Sequence, residues 1–338
     1  MAPADVSGRA ARGLSSPQLR EPLSRSAAPP GVREHFDGNV RVMTLNIRKL
    51  VPASLERREG PDATESLAAL RDVAAYIRKK DPDVIVLQEL DHDVAGPQSR
   101  HGVPAQLDRL AALVGATSKA MAPAQFDRRG NAYDNAILTR NGFTIEDNIS
   151  VPLAVNTRRG GNTGARSVGV ADVVAPDGET HMNVLYTHTS PHAEGAGDRR
   201  VQLQQIARIV DDLRDGELSA PDVTRNGERV TLHSARGAAT VVGGDLNTDK
   251  ARADRGLRKG KAGLENIIDG VPAGQRRRAA AGSFIRADGQ IGARLDHLYV
   301  SRGVDVLRAL VEAVEANEVR DRRGVTDHRA VIAAVAID

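Results

Sequence analysis

Asp81-Pro82-Asp83-Val84-Ile85-Val86-Leu87-Gln88-Glu89 is the stretch from which the fold of this 338-residue chain is best read. Proline cannot continue a helix, so Asp81-Pro82-Asp83 marks a break. The four apolar residues that follow, bounded by polar ones, describe a fully buried strand ending at Gln88-Glu89. An unpaired carboxylate on so apolar a segment costs several kcal/mol. Glu89 therefore calls for a cation or a basic partner, the plainer alternative being a salt bridge to an arginine.

Upstream of the break lies a helical pattern. Asp62-x-x-Glu65 resembles a capping box, Leu67, Leu70, Val73, Ala74 and Ile77 fall on one face, and Arg78-Lys79-Lys80 make a basic end. Before it, separated by a charged loop through Pro61, Arg41 to Ile47 reads as a strand ending near Asn46. Downstream, Leu107 to Val114 is a short helix. Asn135 to Leu138 and Phe143 to Val151 flank the turn Arg140-Asn141-Gly142 as a hairpin, and Ala165 to Val174 pairs with Met182 to His188 across Pro176-Asp177-Gly178. A helix from about Asp198 to Leu213 carries Val201, Ile206, Ile209, Val210 and Leu213, and a polar loop runs to about Gly237. Strands follow around Thr240 to Val242, Leu295 to Val300, Val304 to Val314 and Ala330 to Ile337. These elements predict an α/β (α+β) four-layer sandwich, two packed mixed β-sheets flanked by helices. No repeat of 20 to 50 residues is visible, which excludes solenoids.

Glu89 is one of five polar motifs that each close an apolar run: Thr44-Leu45-Asn46, Gln88-Glu89, Gly244-Asp245-Leu246-Asn247, Leu295-Asp296-His297 and Thr326-Asp327-His328. Together they describe strands that each deliver an acid, an amide or an imidazole to a shared mouth, the construction of a metal-assisted hydrolase. Gly243-Gly244 lets the backbone turn sharply and a substrate come close to Asp245. Asp245 can deprotonate a water while Asn247 orients a phosphoryl oxygen or the nucleophile; alone, the pair would equally suit an Asx turn. Asp327 beside His328 offers a hard oxygen ligand next to an imidazole, as phosphoryl transfer with a divalent cation requires.

Composition narrows the chemistry. Four Tyr, four Phe and no Trp leave too few rings for base stacking to be a major binding mode, and the core rests on Val, Leu, Ile and Ala. The absence of cysteine excludes thiolate zinc sites, disulfides and a cysteine nucleophile, and leaves the compartment undecided. No apolar run approaches the roughly 20 residues of a membrane span, and no secretory signal is visible. The net charge of +3 is unevenly spread: residues 250–286 carry ten Lys and Arg against three carboxylates. Such a segment attracts phosphates, or is a solvated loop. Residues 1–38 read as a disordered leader of Ala, Pro, Ser, Gly and Arg ahead of one domain over 39–338.

In order and spacing these motifs resemble the endonuclease/exonuclease/phosphatase superfamily over about residues 40–338. The segments that carry the resemblance are the Asn46 of TLN, the Glu89 of LQE, the NAIL of Asn135 to Leu138, and THTSP with His188 and a following helix bearing Arg199 and Gln202. GDLN, RLDH and TDH complete the set. The resemblance implies Glu89 as principal metal ligand with Asn46 and Asp327 near the cation, Mg²⁺ or Mn²⁺. It implies Asp245 as the base that activates water and Asn247 as the holder of the phosphate. His328 would contact the scissile phosphate, oriented and kept charged by Asp296, and His188 would bind phosphate or stabilise the leaving oxygen. Members that act on abasic sites carry a Tyr at the position of His188, which argues against that activity. Arg166 adds a possible phosphate contact, with an exposed structural role as the alternative; His192 and His297 are taken as bystanders.

One departure stands out. Many members carry an acidic residue two positions after the first Asn, where this chain has Arg48; that weakens the case for a second metal. The resemblance implies a divalent-metal-dependent phosphodiesterase working by in-line water attack. A nuclease of DNA or RNA, reached through the Lys and Arg of 250–286, is placed first. A phosphatase or phosphodiesterase of a small-molecule or lipid headgroup, inositol-phosphate or sphingomyelinase-like, is the alternative, and a catalytically dead binding module comes last. A monomer is expected.

Overall fold

The structure is a computed structural model that describes residues 36–48, 63–92, 106–126, 132–154, 166–191, 195–225, 228–233, 237–258, 260–261, 263–314 and 325–337. The chain runs β1 (Asn39–Asn46), α1 (Ala63–Lys80), β2 (Val84–His92), α2 (Gln106–Val114), β3 (Ser118–Phe126), β4 (Ala132–Thr139), β5 (Thr144–Leu153), β6 (Arg166–Val174) and β7 (His181–His188). It continues with α3 (Ala196–Arg214), β8 (Glu217–Arg225), β9 (Glu228–His233), β10 (Ala239–Asp245), α4 (Lys250–Leu257), β11 (Glu265–Asn266), α5 (Ile267–Gly270), α6 (Arg276–Ala279), β12 (Asp296–Val300), β13 (Asp305–Ala313) and β14 (Arg329–Ala336). Among the described residues these strands form two six-stranded sheets, ordered β13-β14-β1-β2-β4-β3 and β11-β12-β10-β7-β6-β5, and a separate β8-β9 ribbon.

Side-chain alternation explains the layering. On β1 and β2, Val42, Val84 and Val86 point into the core between the sheets, where they meet Val184, Tyr186, Val241 and Leu298 of the second sheet. Met43, Leu45, Ile85 and Leu87 point the other way, against Leu70, Val73, Ala74 and Ile77 of α1 and Leu110 of α2. The second sheet does the same: Val168, Val170, Leu185 and Val242 pack under Leu203, Ile206, Val210 and Leu213 of α3. The result is helix, sheet, sheet, helix, as the sequence predicts. Each fully buried aliphatic side chain contributes about 1.5–3 kcal/mol to this packing.

Each sheet has a parallel pair at its centre. β1 runs beside β2 with Asn46 level with Gln88, and β7 runs beside β10 with His188 level with Asp245. Their C-terminal ends meet at one rim, so the polar motifs there converge.

Four expectations are corrected. The turn Arg140–Gly142 does not close a hairpin: β4 pairs with β2 and β3, while β5 pairs with β6 in the other sheet. Arg140 bonds the Val114 carbonyl and Asp81, and Asn141 bonds Asp83, so the turn is tied to the end of the first sheet while the chain crosses over. The polar loop before Gly237 contains the β8-β9 ribbon. Val201 lies on the exposed face of α3 and not with its apolar partners. Segment 250–286 carries α4, α5 and α6 among its described residues and is not one continuous loop; Lys250 and Arg258 are bound to Asp254 and Asp269. The first 35 residues of the leader, Asp62 of the capping box and His192 lie outside the described residues. No described helix is long and apolar enough to cross a membrane.

Candidate active site

β10 ends in Gly243-Gly244-Asp245, and the second glycine is obligatory. Gly244 has φ of +153°, and a Cβ there would stand 2.0 Å from the Thr187 carbonyl oxygen, so only glycine lets β10 lie this close to β7. That approach sets buried Asp245 between His188 on one neighbouring strand and Asp296 on the other. Asp245 Oδ1 accepts the Asn247 N–H at 2.9 Å. Asn247, at φ +48°, turns its amide to the Thr189 carbonyl, 3.0 Å away.

The first sheet contributes through a bulge. Register slips between Leu87 and Leu90, and Glu89 takes φ +56°, a conformation that costs a non-glycine residue about 1–3 kcal/mol. The bulge brings Glu89 to the Asn46 amide, which donates to Glu89 Oε1 at 3.0 Å and to Asp245 Oδ2 at 3.1 Å. One amide thus joins a carboxylate from each sheet. Its oxygen accepts the Arg48 N–H at 2.9 Å, and the Thr326 hydroxyl holds the Asn46 carbonyl at 2.8 Å. Arg48 Nη1 lies 3.2 Å from Asp327 Oδ2.

His328 completes the rim just before β14. Its Nδ1 is 2.7 Å from Asp296 Oδ2, and its Nε2 faces Asp245 Oδ2 at 3.8 Å and Asp327 Oδ1 at 3.9 Å. Phe284 meets its ring edge-on at a centroid separation of 5.5 Å. The Ser283 hydroxyl accepts the N–H groups of Leu295 and Asp296, both at 2.9 Å, which fixes the start of β12. His188 Nε2 approaches Asp245 Oδ2 from the other side at 3.6 Å.

The two imidazoles are driven apart electrostatically. Burial disfavours the charge on His328, but Asp296, then Asp245 and Asp327, outweigh it and push the ring up to about 10. His188 is lowered well below the usual imidazole range by burial, then by Arg166 and by His328 itself. At neutral pH the first is an imidazolium and the second a neutral ring. Asp245 is raised to about 7, chiefly by burial and then by the charge of Asp296. Asp327 is also raised, mainly by burial, although His328 and Arg48 act against that.

All nine predicted site residues fall at this rim. Arg166 is a correction of a different kind: it is buried, not exposed, and its Nε has no hydrogen-bond partner. Its guanidinium feels Glu89 and Asp245 while burial lowers its pKa. His297 is fully buried, its Nε2 lying 2.9 Å from the Thr248 carbonyl oxygen. Ser283 and Phe284 escaped the sequence reading because each is an ordinary residue whose only distinction is its spatial neighbour, whereas Thr189 lay inside the THTSP motif. Thr326 lay inside a recognised motif, where its hydroxyl role could have been guessed.

The residues fit a hard divalent cation. Glu89, Asp245, Asp296 and Asp327 bring four carboxylates to one rim, Asp296 Oδ1 is buried without a partner, and the Asp245 charge is held back first by burial and then by Asp296. Donor atoms of Asp245, Asp296 and His328 lie within 4.8 Å of one another. Oxygen-rich donor sets of this kind suit hard divalent cations.

A two-sheet sandwich with this rim is the scaffold of a metal-assisted hydrolase of phosphoesters. The family model described as the Endonuclease/Exonuclease/phosphatase family matches residues 43–328, and the chain belongs to that family. It is accordingly a metal-dependent phosphoric ester hydrolase. Among solved structures it is similar to an endonuclease/exonuclease/phosphatase from Beutenbergia cavernae, with 23% identity, 88% of this chain and 72% of that chain covered, and a TM-score of 0.60. It is similar to truncated Caenorhabditis elegans TDP2, at 18% identity, 88% and 97% coverage and a TM-score of 0.58. It is also similar to a mannosyl-6-phosphatase from Bacteroides thetaiotaomicron, at 15% identity, 88% and 99% coverage and a TM-score of 0.61. At these identities the likeness concerns the fold. No curated protein matches the sequence.

Proposed function

We propose that the chain is a phosphodiesterase whose substrate is a nucleic acid, cut by in-line attack of water on phosphorus. The observation that supports this substrate is the exposed run Arg276-Arg277-Arg278 on α6. From Ala279 to Ser283, the residue that anchors Asp296, the chain spans at most about 14 Å. The three exposed arginines directly precede that span, and Arg286 adds a fourth exposed cation on the loop beyond Phe284.

In this reading Asp245 takes the proton of the attacking water, aligned by the Asn247 N–H and the Asn46 amide. His328, kept cationic by Asp296, donates to a non-bridging phosphate oxygen. Asn247 and Arg166 position the same phosphate, and neutral His188 offers an N–H toward the leaving oxygen. A divalent cation held by Glu89, with Asn46 and Asp327 beside it, would neutralise charge that develops on the phosphoryl group. Arg48, paired with Asp327, supplies positive charge where a second cation would otherwise be needed.

A second reading is hydrolysis of a small-molecule or lipid headgroup phosphate. Buried Arg166, with its Nε unpartnered beside the carboxylates, would suit a compact terminal phosphate. Supercoiled plasmid, single-stranded RNA and bis(4-nitrophenyl) phosphate, each with Mg²⁺ or Mn²⁺, separate the two. Cleavage of plasmid or RNA supports the nuclease; survival of both nucleic acids while the small diester is hydrolysed removes it.

A further inference from the structure

The far end of the second sheet holds a second constellation. β5 and β6 are out of register between Ile145 and Asp147. Ile145 lies level with Val173 and Asn148 with Ala171, residues whose side chains face the inter-sheet core. The bulge therefore inserts Glu146 and Asp147 together on the outer face, where regular alternation would allow one residue. Asp172, level with Asp147, is on that face, as is His181 on β7. His181 Nδ1 is 3.0 Å from both oxygens of Asp172. Ligand atoms of Glu146, Asp172 and His181 lie within 4.8 Å of one another.

Two further facts bear on what this cluster holds. Asp147 brings a third carboxylate to the same face of the sheet. Asn183 lies directly across the β6-β7 ladder from Asp172, on the His181 face. It is fully buried, and neither its amide oxygen nor its nitrogen has a hydrogen-bond partner. A buried amide left unpaired costs about 1–3 kcal/mol, and side chains directly opposite on one sheet face stand about 4.5–5.5 Å apart at Cβ.

We infer that Glu146, Asp172 and His181 form a second metal site, for a transition-metal dication such as Zn²⁺, with Asn183 as the adjoining oxygen donor. Two carboxylates and an imidazole match the mixed nitrogen and oxygen preference of that ion, whereas Mg²⁺ and Ca²⁺ favour oxygen alone. The 3.0 Å between His181 Nδ1 and Asp172 is close to the spacing of neighbouring vertices around a small ion. His181 and His188 are the two ends of β7, so about 23 Å separates this site from the catalytic rim. Its role is structural: it pins the bulge of β5 to β6 and β7.

The test is calorimetric titration of Zn²⁺ into the full chain after removal of metal by EDTA. Wild type is expected to show two classes of site, and Glu89→Gln to keep the far one. Glu146→Gln, at an exposed position that the fold does not need, should bind Zn²⁺ at that class at least tenfold more weakly while its Mg²⁺-supported hydrolysis stays within twofold of wild type. His181→Asn should behave likewise. The inference is overturned if Glu146→Gln and His181→Asn titrate like wild type, or if Glu89→Gln abolishes all Zn²⁺ binding.

Discussion

His328 and His188 approach the same oxygen of Asp245 from opposite sheets, at 3.8 Å and 3.6 Å, and both are buried. Burial pushes both toward the neutral form, yet one ends at about 10 and the other far below 6.5. What differs is the second neighbour. His328 has Asp296 at 2.7 Å, whereas His188 has the guanidinium of Arg166 in its field. The comparison teaches that charge on this rim is set by the third residue in each chain of contacts, a carboxylate for His328 and a guanidinium for His188.

The largest expected effect comes from removing the oxygen they share. Asp245→Ala should lower kcat by about 10²–10⁴-fold with a native circular dichroism spectrum; retained turnover in a steady-state assay would break the assignment of the base. Next is Asp296→Asn, which leaves His328 in place but removes the main cause of its raised pKa. About a 10²-fold loss in kcat is expected, together with a His328 titration that moves down toward the ordinary imidazole value. A kcat loss without that movement would make Asp296 a packing residue.

The pH dependence of stability is a smaller test of the same field. Asp245 is raised from 3.8 to about 7, so the folded state holds its proton more tightly than the unfolded chain. The stability from that proton is complete below about 3.8 and lost as pH rises through about 7. His328 has the same sign at higher pH, its contribution present below 6.5 and lost through about 10. Without metal, melting temperature should fall over both windows, and Asp245→Asn should flatten the first and, by removing one of the charges that raise His328, narrow the second. Equal slopes in the two proteins would contradict the coupling. The smallest effect concerns the rim's surroundings: replacing Arg276, Arg277 and Arg278 by Gln should reduce the salt slope of nucleic-acid binding by up to about three. An unchanged slope would detach α6 from the substrate.

Much of this was legible in the sequence because Glu89, Asp245 and Asp296 each close an apolar run, and alternation on β1, β2 and β7 follows the core directly. What was not legible depended on partners distant in sequence. The Arg140-Asn141-Gly142 turn has hairpin chemistry, but nothing local states which sheet receives the next strand. Glu217–Arg225 is too polar, with Pro221 within it, to announce a strand. Arg166 reads as a surface residue because its burial comes from the strands around it, and the Ser283 hydroxyl owes its role to two backbone N–H groups twelve and thirteen residues away.

The division of charge between the two imidazoles can be observed directly by nitrogen-15 NMR of histidine-labelled protein, with signals assigned by His188→Gln and His328→Gln. The expected result is a His328 ring still protonated at pH 8 beside a His188 ring already neutral at pH 6. Two rings that titrate together near pH 6.5, or a charged His188, would contradict it.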